Sequence, residues 1–236
     1  MQGILLVDKP KDWTSFDVVN YVRKIVAQEE GKKPKNCKVG HTGTLDPAAT
    51  GLLVLLVGKD YTRKAQELTK LDKTYEVTMK LGEVSTTGDS EGDITPYVHE
   101  DELTGVKMPS QDEACAIVQS FVGEIMQVPP AYSAIKINGQ KAYDLARKGQ
   151  EVVLESRSVI ISAIHDITYN VPYITFTCDV SSGTYIRSLV QDIGLSLETG
   201  AYMSGLRRTR VGKYDISNSL EVTQLTPKMI TESLRT

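Results

Sequence analysis

Gly40-His-Thr-Gly-Thr-Leu-Asp-Pro-Ala-Ala-Thr-Gly51, running straight into Leu52-Leu-Val-Leu-Leu-Val57, is the most informative stretch of this 236-residue chain. The second half is six aliphatic residues preceded by a glycine, the pattern of a strand buried on both faces. The first half is loop chemistry, rich in small and turn-forming residues. Asp46-Pro47 between glycines fits a plain turn, because Asp bonds nearby backbone and Pro fixes φ. A long polar loop that holds His41 and Asp46 and is anchored to a rigid strand is also where reactive groups are usually held. Neither GxxxxGK[ST] nor GxGxxG occurs, so a nucleotide phosphate cradle gains no support.

Outward from that stretch, Gly3–Val7 reads as a short strand. Thr14 or Ser15 can cap a helix whose apolar face runs to about Gln28. A basic loop follows, with Lys32, Lys33, Lys35 and Lys38 and no acid. Downstream, Thr62–Lys70 suits a short helix and Lys73–Leu81 alternates as a strand. Glu83 to about Gln111 reads as an exposed acidic excursion, and Asp112–Val122 as a helix. Ala131–Ile137 leads into the turn pair Asn138-Gly139. Ala142–Lys148 is helical, Val152–Tyr169 and Tyr173–Val180 are strand-rich, and Thr184–Leu197 is a helix. The basic stretch Leu206–Lys213 and a thin tail complete the chain. Strands and helices interleave with a hairpin, so the expected class is α+β, a mixed and mainly antiparallel sheet flanked by helices and loops.

The net charge of −3 hides a split. Residues 83–113 hold nine acids and one base, whereas the rest holds 26 bases and 21 acids. The longest aliphatic run has six residues, far too few for a membrane span. The N-terminus lacks the flanks of a signal peptide. Cys37, Cys115 and Cys178 are scattered, and the three histidines lack metal-ligand spacing, so neither a disulfide framework nor a metal site is expected. A cytoplasmic protein without metal or cofactor is the expectation.

Three more segments have chemical potential beside a bland reading. Ser181–Ser188 sits at a strand-to-helix junction; Thr184 could be a cap and Arg187 a surface ion pair, or Tyr185 and Arg187 could serve an anion at the helix start. Tyr75, in Lys73-Thr-Tyr-Glu-Val77, could be an ordinary strand aromatic. Arg207, Arg208, Arg210 and Lys213 form either a solvated face or phosphate contacts. No G-x-S-x-G elbow supports nucleophilic hydrolysis.

Together these blocks resemble the TruB family, the bacterial tRNA pseudouridine-55 synthases. They are Gly3–Pro10, Gly40–Leu53, Lys73–Glu76, Val128–Lys136, Ser182–Leu189 and Leu206–Arg208, in the family's order from residue 3 to about 220. The resemblance implies the pseudouridine-synthase fold and an isomerase that converts a uridine of the tRNA T-loop to pseudouridine, without cofactor or metal. It implies Asp46 as the catalytic carboxylate, a plausible nucleophile when well placed and ionised. Arg187 would supply the opposing charge. Tyr75 would stack on the flipped uracil. Tyr185 and Leu206 would line the base pocket, and Tyr185 is a candidate to take the carbon-5 proton. His41 would support the reshaped T-loop, and Lys9 and Pro10 the catalytic loop.

Many family members have a further PUA-type domain. The expectation here is one catalytic domain over residues 1–220, with 83–113 as an acidic excursion, and a short tail over 221–236 without a PUA domain. The expected partner is the T-arm stem-loop of tRNA, bound by a monomer with no obligate protein partner. A basic cleft with Asp46 at its floor and the acids turned away is also expected. The competing readings are a non-catalytic RNA-binding protein and a synthase acting on another RNA.

Overall fold

The computed structural model describes residues 1–98, 106–133, 135–137, 139–150 and 152–235. Glu100, Asp101 and Glu102 of the acidic stretch, Ala134 of the Val128–Lys136 block and Asn138 of the expected turn lie outside the described residues.

In chain order the elements are β1 (Gly3–Lys9), α1 (Ser15–Glu29), β2 (Val39–His41), β3 (Thr50–Val57), α2 (Lys59–Thr62) and α3 (Ala65–Thr69). They continue with β4 (Lys73–Leu81), β5 (Glu83–Ser85), β6 (Ile94–Pro96), α4 (Gln111–Ser120) and β7 (Gly123–Gln127). Next come β8 (Lys136–Ile137), β9 (Gln140–Lys141), α5 (Ala142–Ala146), β10 (Arg157–Asn170), β11 (Tyr173–Val180) and α6 (Ile186–Ser196). The last are β12 (Ala201–Val211), β13 (Tyr214–Asp215), β14 (Leu220–Glu221) and α7 (Pro227–Ser233). The class is α+β with mixed sheet pairing, as expected.

Two compact units divide the chain, residues 1–76 with 206–236, and residues 77–205. In the first, β1 and β3 pair antiparallel from Gly3 opposite Val57 to Lys9 opposite Gly51. The other edge of β3 meets β2 near its end and β12 near its start, where Arg208 lies parallel to Gly51. The aliphatic run of β3 is continuous because both faces are covered. Leu53, Leu55 and Val57 join Leu5, Val7 and the α1 residues Val18, Val19, Val22 and Val26 in one core. Leu52, Val54 and Leu56 join Ile4, Leu6 and Val211 in the other. Thr14 caps α1 in a reciprocal box with Asp17, the device that stops the helix running back toward β1.

Residues 221–236, expected as a tail, are part of this unit as far as residue 235. β14 pairs parallel with β1, Ile4 and Arg235 exchange backbone hydrogen bonds, and Ile230 of α7 is fully buried. The short apolar contacts of α7 make sense only against a core supplied by distant sequence.

In the second unit β10 and β11 form a long antiparallel pair, with β7 against the other edge of β10. Leu189, Val190 and Ile193 make the buried face of α6. The acidic stretch is more structured than expected: β5 and β6 form a hairpin, and Ser85 and Asp89 are buried. Among the described residues no helix is long and apolar enough to cross a membrane.

Candidate active site

The loop between β2 and β3 carries Asp46, which is partly buried, and its backbone is tied on all sides within the first unit. The Ser15 hydroxyl serves both polar groups of Leu45, accepting from its N–H at 2.8 Å and donating to its carbonyl at 3.0 Å. Pro47 O accepts from Asp12 N at 2.9 Å and from Lys9 Nζ at 3.2 Å. Lys9 is fully buried, and its ammonium also donates to the carbonyls of Pro10 at 2.9 Å and Trp13 at 2.6 Å. A buried ammonium is costly unless it is hydrogen-bonded, and here three carbonyls take its protons. Pro10 ends the β1 segment beside it and is partly buried.

Arg208 is only 1% exposed. Its Nε donates to Leu52 O at 2.8 Å and its Nη2 to Gly43 O at 3.0 Å. One rigid fork thus holds both ends of the segment containing Asp46. The arrangement needs Gly51: its φ is +105°, and a Cβ there would lie 2.3 Å from Arg208 O. The expectation that Arg208 faces solvent or phosphate is therefore corrected. It belongs to a paired strand, and its charge is spent on backbone carbonyls. Arg207 makes a two-pronged pair with Asp8, at 3.2 and 2.6 Å, and Arg210 donates to the Thr74 hydroxyl at 2.9 Å.

His41 ends β2, opposite Leu55. Burial, aided by the Arg208 charge, pushes its imidazole below the usual value, and Nδ1 has no hydrogen-bond partner among the described residues. Tyr75 is a buried residue of β4, and Leu206 is partly buried on β12, where its carbonyl faces the Thr50 hydroxyl at 3.5 Å. Next to Tyr75, Lys73 is 7% exposed and bonds the carbonyls of Thr69 and Leu71. Burial first, and then the Arg208 charge, bring its ammonium down to about 8.

Tyr185 and Arg187 lie in the second unit. Tyr185 rather than Thr184 is the cap residue of α6, and Arg187 is in its first turn. Arg187 is not a surface ion pair. It is nearly buried, with Nη1 donating to Thr87 O at 2.9 Å, Nη2 to Tyr132 O at 2.8 Å, and Nε 3.6 Å from Oδ2 of Asp89, itself 2% exposed. Asp89 was counted among acids expected to turn outward; a buried arginine draws this one in. The structure thus brings Lys9, Pro10, His41, Asp46, Tyr75 and Leu206 into one unit and Tyr185 and Arg187 into the other.

Sequence reading missed Ser15, Arg208 and Asp89. Ser15 looks like a spare helix cap beside Thr14, and Asp89 like one more member of an acidic run. Only Arg208 had a signal, as part of Leu206-Arg-Arg208, and treating that stretch as a basic surface hid it.

With this geometry in place, likeness to known proteins is specific. Residues 30–186 match the TruB family pseudouridylate synthase N-terminal domain, and residues 187–235 the tRNA pseudouridylate synthase B C-terminal domain. The tRNA pseudouridine synthase B of Clostridium acetobutylicum is 43% identical over 234 residues, covering 99% of this chain and 75% of the relative. That of Phocaeicola vulgatus is 41% identical over 219 residues, covering 93% and 89%. Among solved structures, a chain of a Cbf5-Nop10-Gar1 complex superposes with a TM-score of 0.69 at 30% identity, over 94% of this chain. This chain spans about half the length of that one, 53%. Family models that together run from residue 30 to 235, and relatives that match 99% and 93% of its length, place the chain in the TruB family of pseudouridylate synthases.

Proposed function

We propose that this protein isomerises a uridine in the T-loop of tRNA, at position 55, to pseudouridine, with Asp46 as the nucleophile. The observation that carries the reading is the pinned loop: Ser15, Lys9 and Arg208 fix the backbone at Leu45, Pro47, Gly43 and Leu52, so Asp46 projects from a preorganised support. The reaction breaks the glycosidic bond from N1 and rejoins the uracil through carbon 5. The proton lost from carbon 5 is balanced by the one gained at N1.

The target base leaves its stack at a cost of roughly a few kcal/mol. Tyr75 stacks on it, which returns about 1–3 kcal/mol. Leu206 lines the apolar side of the base, and His41, neutral at pH 7, supports the remodelled loop as an uncharged ring. Arg187 supplies the countercharge for the carboxylate chemistry, and Tyr185 takes the carbon-5 proton. Lys9 and Pro10 hold the catalytic loop. The partner is the T-arm stem-loop, bound by a monomer in the cytoplasm.

The test is Asp46→Ala on a T-arm stem-loop. Pseudouridine formation is abolished while binding stays measurable; full activity in that variant overturns the reading. Pseudouridine mapping of tRNA with and without the protein then identifies the position.

A further inference from the structure

α6 has a second face that the core does not take up. Leu189, Val190 and Ile193 are buried, whereas Ser188, Gln191, Asp192 and Leu195 recur at three- and four-residue spacing along another side. These four form one wall of a groove of about 330 Å³, within the size range of small-molecule sites. Val84 of β5 and the segment Val128-Pro129-Pro130 beyond β7 supply the rest of its apolar lining. The Ser188 hydroxyl donates to Val128 O at 2.7 Å and so ties the two walls together. Val128 and Leu195 remain more than half exposed, 55% and 58%.

Two polar side chains interrupt this lining, and the fold uses neither. Gln191 and Asp192 have no hydrogen-bond or ion-pair partner among the described residues. Asp192 is half-buried, and burial alone pushes its carboxyl above the ordinary value, with no cation beside it to offset that cost. A carboxylate held against apolar walls without a countercharge is the complement of an alkyl cation, whose stem covers the apolar surface while its ammonium meets the carboxylate. Pro129 and Pro130 have no N–H, so that wall offers an anion no backbone donor. A metal ion is no better served, since no group of three or more His, Cys, Asp or Glu able to hold one occurs among the described residues. Val84 belongs to residues 83–113, with nine acids to one base, and their field favours a ligand with more than one positive charge. We infer that the groove is a binding site for an aliphatic diamine or longer polyamine. One ammonium pairs with Asp192 and donates to the Gln191 carbonyl, and the methylene chain lies on Val84, Val128 and Leu195. None of these residues takes part in the isomerisation proposed above, so the site does not depend on that reading.

The experiment titrates putrescine, a four-carbon diamine, into the isotope-labelled full chain without RNA, at constant ionic strength, and follows the backbone amide resonances. Saturable shifts are expected at Val84, Val128, Gln191 and Leu195. Asp192→Asn is expected to weaken binding on the order of tenfold, the scale of one hydrogen bond to a charged group. Leu195→Ser, at an exposed position, weakens it through the lost contact with the stem and gives a second reading should the asparagine variant fold poorly. Butylammonium, with the same stem and one charge, binds more weakly than the diamine. Shifts that do not saturate, or that persist unchanged in both variants, overturn the proposal. So does magnesium chloride reproducing the same shifts, which marks a counterion effect only. Equal affinity for butylammonium, the stem and head of a lysine side chain, assigns the groove to a lysine of a protein partner and overturns the polyamine.

Discussion

Arg208 reaches across 165 residues of sequence to hold the carbonyl of Gly43 at 3.0 Å, while its Nε holds Leu52 at 2.8 Å. The guanidinium therefore spans the segment from which Asp46 projects. Lysine has no fixed fork, and cannot serve two separate carbonyls in the same directions. Arg208→Lys is expected to lower kcat while leaving stem-loop binding intact. It also destabilises the fold by about 1–3 kcal/mol for each carbonyl left without its donor. Gly51→Ala, which drives a Cβ into the Arg208 backbone, is expected to show the same kinetic pattern. Single-turnover rates beside binding titrations check this; a wild-type kcat in Arg208→Lys contradicts it.

Lys73 ties pH to stability. Burial, and secondarily the Arg208 charge, bring its folded value to about 8 from 10.5, with Asp72 opposing. Between those values the unfolded chain binds more protons than the folded one, so the contribution of this group rises with pH. The penalty of burying the ammonium is complete below about pH 8 and is relieved toward pH 10.5. Lys73→Met removes that titration. Urea unfolding at pH 7.5 and 9.5 should show wild type gaining on the variant at the higher pH. A constant difference between the two proteins would refute the linkage.

Much of the fold was legible because its signals are local. Lys73–Leu81, read from alternation, and Tyr173–Val180, read as a strand-rich run, are strands with the expected boundaries, and Thr14 caps α1 as its position before an apolar face suggests. β12 was not legible: Ala201–Val211 mixes charged and small residues, and its identity comes from pairing with distant strands. The site divides the same way. Asp46 stands in a loop whose composition marks it, and the family likeness rests on such blocks. Its supports do not, since a buried arginine is identified only by the carbonyls it meets. Asp89 was misread for that reason, because its partner Arg187 lies some 100 residues away in sequence, at the same remove as from the neighbouring Thr87 carbonyl that shares that guanidinium.

The Arg187–Asp89 pair offers a clean discrimination between a surface contact and a buried one. An exposed pair contributes roughly 0–1 kcal/mol. Removing one member of a buried pair costs about 3–5 kcal/mol, because the remaining charge is stranded. Both groups here are almost wholly buried, so Asp89→Asn is expected to lower stability by more than a surface pair would, short of the larger figure because the guanidinium keeps other partners, the carbonyls of Thr87 and Tyr132 among them. Chemical denaturation measures it directly. A loss below about 1 kcal/mol would place the pair in the surface class.

His41 carries the same lesson about pH, on the acid side. Its folded value lies below the ordinary 6.5, through burial first and the Arg208 charge second. As pH falls through 6.5 the unfolded chain takes up a proton that the folded chain refuses, so the contribution of His41 is complete above about 6.5 and is lost below it. Asn at this position keeps a planar polar group, smaller than the imidazole, without the titration. The stability advantage of wild type over His41→Asn should therefore shrink between pH 7.5 and pH 5.5. Denaturation midpoints for the two proteins at both pH values test this. An advantage that holds steady down to pH 5.5 means that the buried imidazole accepts its proton as readily as the unfolded one, and that the Arg208 charge does not reach it.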